Sequence, residues 1–315
     1  MTTYFDSLID EAMHVADEVR SIADNLLYKI LSLIQTQAPM KPHIDGEPTK
    51  FGSFLYKNDN GISFNTIWEF YNFSTEEKRK FSKIDSTCRF YPESGTIYIV
   101  IIGINNKIEK LEIAEDIQHE VSHMFEFYRK DKIGKRFAIS AKYKTAVERL
   151  NNTKDGSIEN DIALIIYIGE KSEQRAFANG AYQYLMRSGD YIHNFSNAMK
   201  KTQLYGYAKD IERAYSRLSK YKNYENLISD YLSIYGISLR KLLKYAVIIR
   251  RRLAWYIGRI QVKAINDYRK MHGVMVNIPS SEKRATMIEA KIRKRANIFE
   301  KYYKGTPLWH GFCKR

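Results

Sequence analysis

The sequence predicts a protein of the α+β class that is predominantly helical, with a small sheet and a basic, all-helical C-terminal region. Apolar residues recur every three or four positions over long stretches near both ends of the chain, as they do in amphipathic helices. β-Branched and aromatic residues concentrate instead between residues 51 and 103, where strands are expected. With 44% hydrophobic and 13% aromatic residues, the 315-residue chain has enough apolar material for a large core.

The N-terminal part begins with one long predicted helix over residues 4–35. Three prolines and a glycine in residues 36–50 end it. Residues 51–65 then predict a β-hairpin, because Asn60-Gly61 suits a tight turn in which both central residues need positive φ.

The next stretch predicts a short helix followed by two strands. The helix covers residues 74–84 and should be capped by Ser74 or Thr75. Residues 88–103 predict two strands around a Pro-Glu-Ser-Gly turn, and the β-branched, aromatic run at 96–102 is the stronger of the two. Together with the hairpin, these strands would form the small sheet.

The remainder of the chain predicts helices almost throughout. Their periodic patterns cover residues 111–130, 161–189, 239–270 and 280–303, and the last begins just after Pro279. The second of these is apolar on most sides, which predicts a buried helix.

The charge of the chain is concentrated in its C-terminal part. Residues 200–315 hold 27 Lys and Arg against 8 Asp and Glu, while the first 199 residues hold 24 and 28. This asymmetry predicts three parts: an N-terminal helix and linker (1–50), a central domain (51–199) and a basic helical domain (200–315). The basic part could face nucleic acid without reading its sequence, face an acidic protein, or be a solvated surface; no DNA-reading motif is present.

The cysteines, the N-terminal residues and the apolar runs together predict where the protein is located. Cys88 and Cys313 are too few and too far apart for a disulfide framework, so reduced thiols are expected. The N-terminal residues carry acids among the apolar side chains, unlike a signal peptide. The strongest apolar run, residues 245–258, is interrupted by three arginines, and no membrane span is expected. We therefore expect a cytoplasmic protein.

The predicted helix 111–130 contains His119-Glu120-Val121-Ser122-His123, which fits the pattern H-E-x-x-H. Residues four apart lie on the same face of a helix, so both imidazoles can reach one ion. The glutamate between them can then take a proton from a water bound to that ion. The competing interpretation is a surface helix with two partly solvated histidines opposite an apolar stripe.

A strand followed by an H-E-x-x-H helix resembles the zincin superfamily of zinc metallopeptidases. The metzincin pattern would need glycine at position 126 and histidine at position 129, where this chain has Glu126 and Arg129. The gluzincin pattern needs a glutamate from a later helix, and the chain offers Glu170 and Glu173. The resemblance covers roughly residues 85–190.

Glu173 is the favoured third ligand. Ala176 and Gly180 share its helix face and would let the two helices approach closely, and Glu-x-x-Ala resembles a pattern of small bacterial and phage gluzincin-like families. The resemblance thus implies Zn²⁺ held by His119, His123 and Glu173, with Glu120 as general base.

Other polar residues remain open candidates. His193 is a weaker ligand candidate, and Glu126 could accept a hydrogen bond from a ligand histidine or be a solvated carboxylate. Tyr182, Tyr184 and His193 could stabilise the oxyanion, but nothing in the sequence selects one of them.

Two functions follow from the motif and the composition, and a third, a nucleic-acid-binding regulator, rests only on the charge asymmetry. The first is a metallopeptidase acting on a protein or peptide, in phage assembly for example. The second rests on a composition rich in Lys, Ile, Tyr and Asn, which resembles virion proteins of crAss-like tailed phages, including those at the portal vertex. It is a structural protein on a zincin scaffold that contacts portal or capsid subunits or DNA. Both imply an oligomer or a larger assembly, in the host cytoplasm or the virion.

Overall fold

The computed structural model describes residues 4–36, 47–58, 61–81, 85–132, 140–189 and 191–272. For residues 4–17, 129–132, 191–193, 265–266 and 268–272 it describes the backbone alone. The chain divides into two units, residues 1–250 and 251–315, of which the second is described only over residues 251–272. The predicted divisions at residues 50 and 199 remain predictions.

The predominantly helical α+β class is confirmed. In chain order the elements are α1 (Tyr4–Thr36), β1 (Lys50–Lys57), β2 (Ser63–Phe73), α2 (Thr75–Lys80), β3 (Thr87–Tyr91), β4 (Thr96–Ile104), β5 (Lys107–Ile108), α3 (Lys110–Lys132), α4 (Ala141–Asn152), α5 (Ile158–Gly169), α6 (Lys171–Ser188), α7 (Tyr191–Lys200), α8 (Gln203–Leu218), two 3₁₀ turns (Ser219–Tyr221 and Glu225–Ile228), α9 (Ser229–Ile234) and α10 (Leu239–His272).

The strands form one mixed sheet in the order β1-β2-β4-β3, with β5 also beside β4. β1 and β2 are antiparallel, β2 and β4 are parallel, and β3 and β4 are antiparallel. The predicted hairpin is therefore confirmed, but its connection runs from Asn58 to Ile62 and is longer than a two-residue turn. Gly61 has φ of 77°, and Asn60 lies outside the described residues.

The main core lies between one face of the sheet, α1 and α3. Burial alternates along β2, where Phe64, Thr66, Trp68 and Phe70 point inward, as expected for a strand with one covered face. The apolar stripe of α3 is buried in the same core, with Ile113, Ile117, Val121 and Met124 each at most 2% exposed. This packing fixes which side of α3 faces away from the sheet.

The prediction of one helix over residues 161–189 is wrong, because the chain bends between α5 and α6. Glu170 has ψ of 132°, which is an extended conformation. The last carbonyls of α5 are satisfied by side chains instead of by further helix: Gln174 Nε2 and the Tyr245 hydroxyl both donate to the Gly169 carbonyl oxygen, at 3.3 and 2.8 Å. The bend places Glu173 in the first turn of a new helix.

Two other predicted helices have different outcomes. The helix predicted at 74–84 is present but shorter, and Ser74 caps it in a capping box with Glu77. The helix predicted at 239–270 is confirmed as α10, whereas the one predicted at 280–303 lies outside the described residues. Within the described part of the chain, no helix combines the length and the low polarity that crossing a membrane requires.

Candidate metal centre

α3 presents His119 and His123 on the side that faces away from the sheet. Their Nε2 atoms are 3.0 Å apart, one helical turn along the same face. Only 7% of the His119 side chain and 14% of the His123 side chain are exposed. The competing interpretation of two partly solvated surface histidines does not describe this face, because α6 covers it.

α6 brings Glu173 to both histidines. Glu173 Oε2 lies 3.3 Å from His119 Nε2, and Oε1 lies 3.2 Å from His123 Nε2. The carboxylate is 3% exposed and sits in the first turn of α6, where the helix dipole favours a negative charge. The three side chains form a buried group that could hold a metal ion.

Small residues allow α6 to approach α3 this closely. Ala176 is 1% exposed, and a Cβ atom added at Gly180 would lie 2.9 Å from the backbone carbonyl oxygen of Glu115 on α3. Asn179 Nδ2 also donates to Ser122 Oγ across the same interface, at 3.1 Å. The spacing that favoured Glu173 in the sequence therefore corresponds to a real close contact.

Glu120 points toward the edge strand β3 instead of toward α6. Its Oε2 accepts a hydrogen bond from the backbone N–H of Phe90 at 2.8 Å, and its Oε1 lies 3.9 Å from His119 Nε2. One carboxylate oxygen is thus anchored to the sheet while the other faces the histidines. Burial raises the pKa of Glu120, although both histidines oppose this effect.

The cluster is electrostatically coupled. Burial alone lowers the pKa of His123, but the Glu173 and Glu120 carboxylates outweigh it and raise that pKa to about 9. Burial also disfavours the charged form of Glu173, which raises its pKa, but His123 and His119 outweigh this effect and hold the pKa well below its usual value. The carboxylate thus remains charged, and a metal ion that binds here would have to displace the proton of His123.

Two buried atoms of the cluster test whether a metal fits. Glu173 Oε2 has no hydrogen-bond partner among the described residues, and neither has His119 Nδ1. This carboxylate oxygen lies 3.3 Å from His119 Nε2 without a hydrogen bond and is available to an ion, which would offset the cost of burying it. Two imidazole nitrogens and one carboxylate suit zinc, and the same donor set also serves non-haem iron.

A cavity of about 550 Å³ opens over the cluster. One wall is β3, and the others include the rings of Tyr143, Tyr167 and Tyr207. The Tyr143 hydroxyl donates to Glu173 Oε1 at 2.6 Å. Sequence reasoning missed these tyrosines, which come from α4, α5 and α8, and no local pattern distinguishes them among the 24 tyrosines of the chain.

The other candidate residues lie apart from the cluster. Glu170 occupies the N-cap position of α6 at the cavity wall, and its Oε1 accepts from Ser140 Oγ at 3.5 Å instead of capping the helix. Glu126 is not simply a solvated carboxylate, because Arg175 Nη2 donates to its Oε1 at 3.0 Å.

The tyrosines proposed from the sequence are not at the cavity either. Tyr182 and Tyr184 are buried in α6, and neither lines the cavity. His193 lies in α7, and its side chain is outside the described residues.

The chain was compared with protein-family models, curated proteins and solved structures, and none of them matches. The zincin resemblance therefore rests on the H-E-x-x-H motif, on Glu173 and on the geometry that joins them. That geometry forms a buried group that could hold a metal ion.

Proposed function

We propose that this protein is a zinc-dependent metallopeptidase of the gluzincin type. The observation that carries the proposal is the convergence of His119, His123 and Glu173 from two helices in a buried group. Three protein ligands with an open fourth position are the arrangement of catalytic zinc sites, whereas structural sites use four. Zinc held there would polarise a peptide carbonyl and acidify a water molecule.

Glu120 is the general base of the proposed reaction. The Phe90 N–H holds its Oε2, so Oε1 is the oxygen that can accept a proton from the attacking water. Because burial raises the pKa of this carboxylate, it binds a proton more readily than a solvated glutamate does, as a base working near neutral pH requires. The same group can then pass the proton to the leaving amine.

The position of Glu120 favours hydrolysis over iron chemistry. Two histidines and one carboxylate with open positions are also the ligands of non-haem iron oxygenases. Here a carboxylate beside the first histidine is oriented by a backbone hydrogen bond, and one of its oxygens is 3.9 Å from His119 Nε2. Such an arrangement serves a reaction that moves a proton from water.

The cavity supports a peptide as the substrate. β3 pairs with β4 on one side and borders the cavity with residues 87–91. An extended chain can lie along a sheet edge and place its side chains in neighbouring pockets. The tyrosine rings opposite β3 would then contact those side chains.

The test compares wild-type protein with Glu120→Gln and with a control, Glu112→Gln, on a casein-like substrate, together with elemental analysis for zinc and iron. Glu112 is an exposed carboxylate on the same helix. We expect zinc in all three proteins and cleavage by wild type and Glu112→Gln alone. Iron in place of zinc, or cleavage that survives Glu120→Gln, would overturn the proposal.

A second candidate is a structural virion protein on the same scaffold that contacts DNA or neighbouring subunits through its basic region, and the charge distribution supports that contact. Residues 200–315 carry 19 more basic than acidic residues, and Arg240, Lys241 and Lys244 of α10 are exposed. Contact with phosphates releases counterions, so DNA affinity should fall steeply as salt rises. Binding that is absent or insensitive to salt would remove DNA from this candidate.

A further inference from the structure

Tyr143 occupies a fixed position at the side of the metal centre. It lies in the first turn of α4, and its backbone N–H donates to Oγ of the capping residue Ser140 at 3.1 Å. Its half-buried ring lies 5.6 Å from that of Tyr167, centre to centre, at an angle of 34°. Cap and ring contact together direct the hydroxyl into the cavity.

The hydroxyl makes the two oxygens of Glu173 different. Oε1 accepts the 2.6 Å hydrogen bond from Tyr143. Oε2 is buried and lies 3.3 Å from His119 Nε2, but it makes no hydrogen bond among the described residues. One oxygen is therefore already engaged by the protein, and the other is the one left for an ion.

We propose that Tyr143 is a positioning residue that restricts Glu173 to binding the metal through a single oxygen, Oε2. The inference rests on the proposed metal site. Without the hydroxyl, the carboxylate can rotate and bind through both oxygens, which raises the coordination number from four to five and crowds the position that a water molecule needs. With the hydroxyl in place, two histidines and one oxygen leave that position open.

This role differs from direct action on the substrate. A tyrosine that only stabilised the oxyanion would lower kcat and leave metal binding unchanged. A tyrosine that orients a ligand alters metal affinity and coordination even when no substrate is present. A residue that hydrogen-bonds to a metal-binding side chain typically contributes about 10–100-fold to metal affinity.

The test uses Tyr143→Phe, which removes one oxygen atom and keeps the ring, and Tyr182→Phe as a matched control. Tyr182 is a buried tyrosine of the helix that carries Glu173 and does not line the cavity. Zinc affinity is measured by competition with a chromophoric chelator, and thermal unfolding of the metal-free proteins verifies that each variant folds. We expect zinc binding about 10–100-fold weaker in Tyr143→Phe and unchanged in Tyr182→Phe.

Cobalt(II) substitution supplies a second readout that a general loss of packing would not change. Four-coordinate cobalt absorbs visible light strongly, and absorption falls as the coordination number rises. We expect strong absorption in wild type and weaker absorption in Tyr143→Phe at full occupancy. If zinc affinity and the cobalt spectrum are the same in Tyr143→Phe and wild type, the inference is wrong and the metal site stands. If wild type binds neither metal, the proposed function falls as well.

Discussion

Substituting Gly180 by alanine should damage the metal centre from two helical turns away. The added Cβ would lie 2.9 Å from the Glu115 carbonyl oxygen and 3.0 Å from its Cγ. Ordinary contact begins near 3.4 Å, so α6 must move away from α3 by roughly 0.5 Å. Metal–ligand distances tolerate only about 0.2 Å, and Glu173 lies on the helix that moves.

The magnitude of the effect follows from two opposing terms. Overpacking against a backbone atom costs about 1–3 kcal/mol, and replacing a helical glycine by alanine returns about 1 kcal/mol. We therefore expect a metal-free protein that is destabilised by at most about 2 kcal/mol, and a loss of zinc affinity of about tenfold or more. Urea unfolding of the metal-free protein and chelator competition measure the two quantities.

Gly206 provides the matched control. It lies in α8, and a Cβ added there meets no atom within 4 Å. Gly206→Ala should raise the free energy of unfolding by about 0.5–1 kcal/mol and leave zinc affinity unchanged. If Gly180→Ala behaves like Gly206→Ala in both measurements, the reasoning about helix approach is wrong.

Two further predictions concern stability. Burial raises the pKa of Glu115 from 4.5 to about 8, although a hydrogen bond from the Gln203 N–H opposes the shift. The folded state therefore binds this proton more tightly than the unfolded state does. The stability that results is lost as pH rises from about 4.5 to about 8. One pKa unit corresponds to about 1.4 kcal/mol. Between pH 5 and 8, the free energy of unfolding should therefore fall by several kcal/mol less in Glu115→Gln than in wild type. Parallel pH profiles of the two proteins in urea unfolding would contradict this. Asp161 is buried and accepts hydrogen bonds from Arg217 Nε and Nη2 at 2.6 and 2.5 Å. Asp161→Asn should lower the free energy of unfolding by about 1.5–3 kcal/mol. A change near zero would show that this ion pair does not hold α5 to α8.

Local features of the fold could be predicted from the sequence because short-range patterns determine them. The period of α3 and the spacing of His119 and His123 place both imidazoles on one helix face. The small residues after Glu173 indicated the close approach of α6 to α3, which Gly180 makes against Glu115. In each case the informative residues lie within one or two helical turns of each other.

Features that depend on distant contacts could not be predicted. At the bend before Glu170, the Gly169 carbonyl oxygen accepts a hydrogen bond from Tyr245, which is more than seventy residues further along the chain. Tyr143 reaches Glu173 from a separate helix. Partners that the chain brings together from different elements leave no periodic signal in the sequence.

The most direct test of the central claim is an anomalous difference map from crystals grown with zinc and measured at the zinc absorption edge. The account predicts one strong peak within bonding distance of His119 Nε2, His123 Nε2 and Glu173 Oε2, with Glu120 close by but not bound to the ion. A map with no peak there, or a peak bound by other residues, would contradict it.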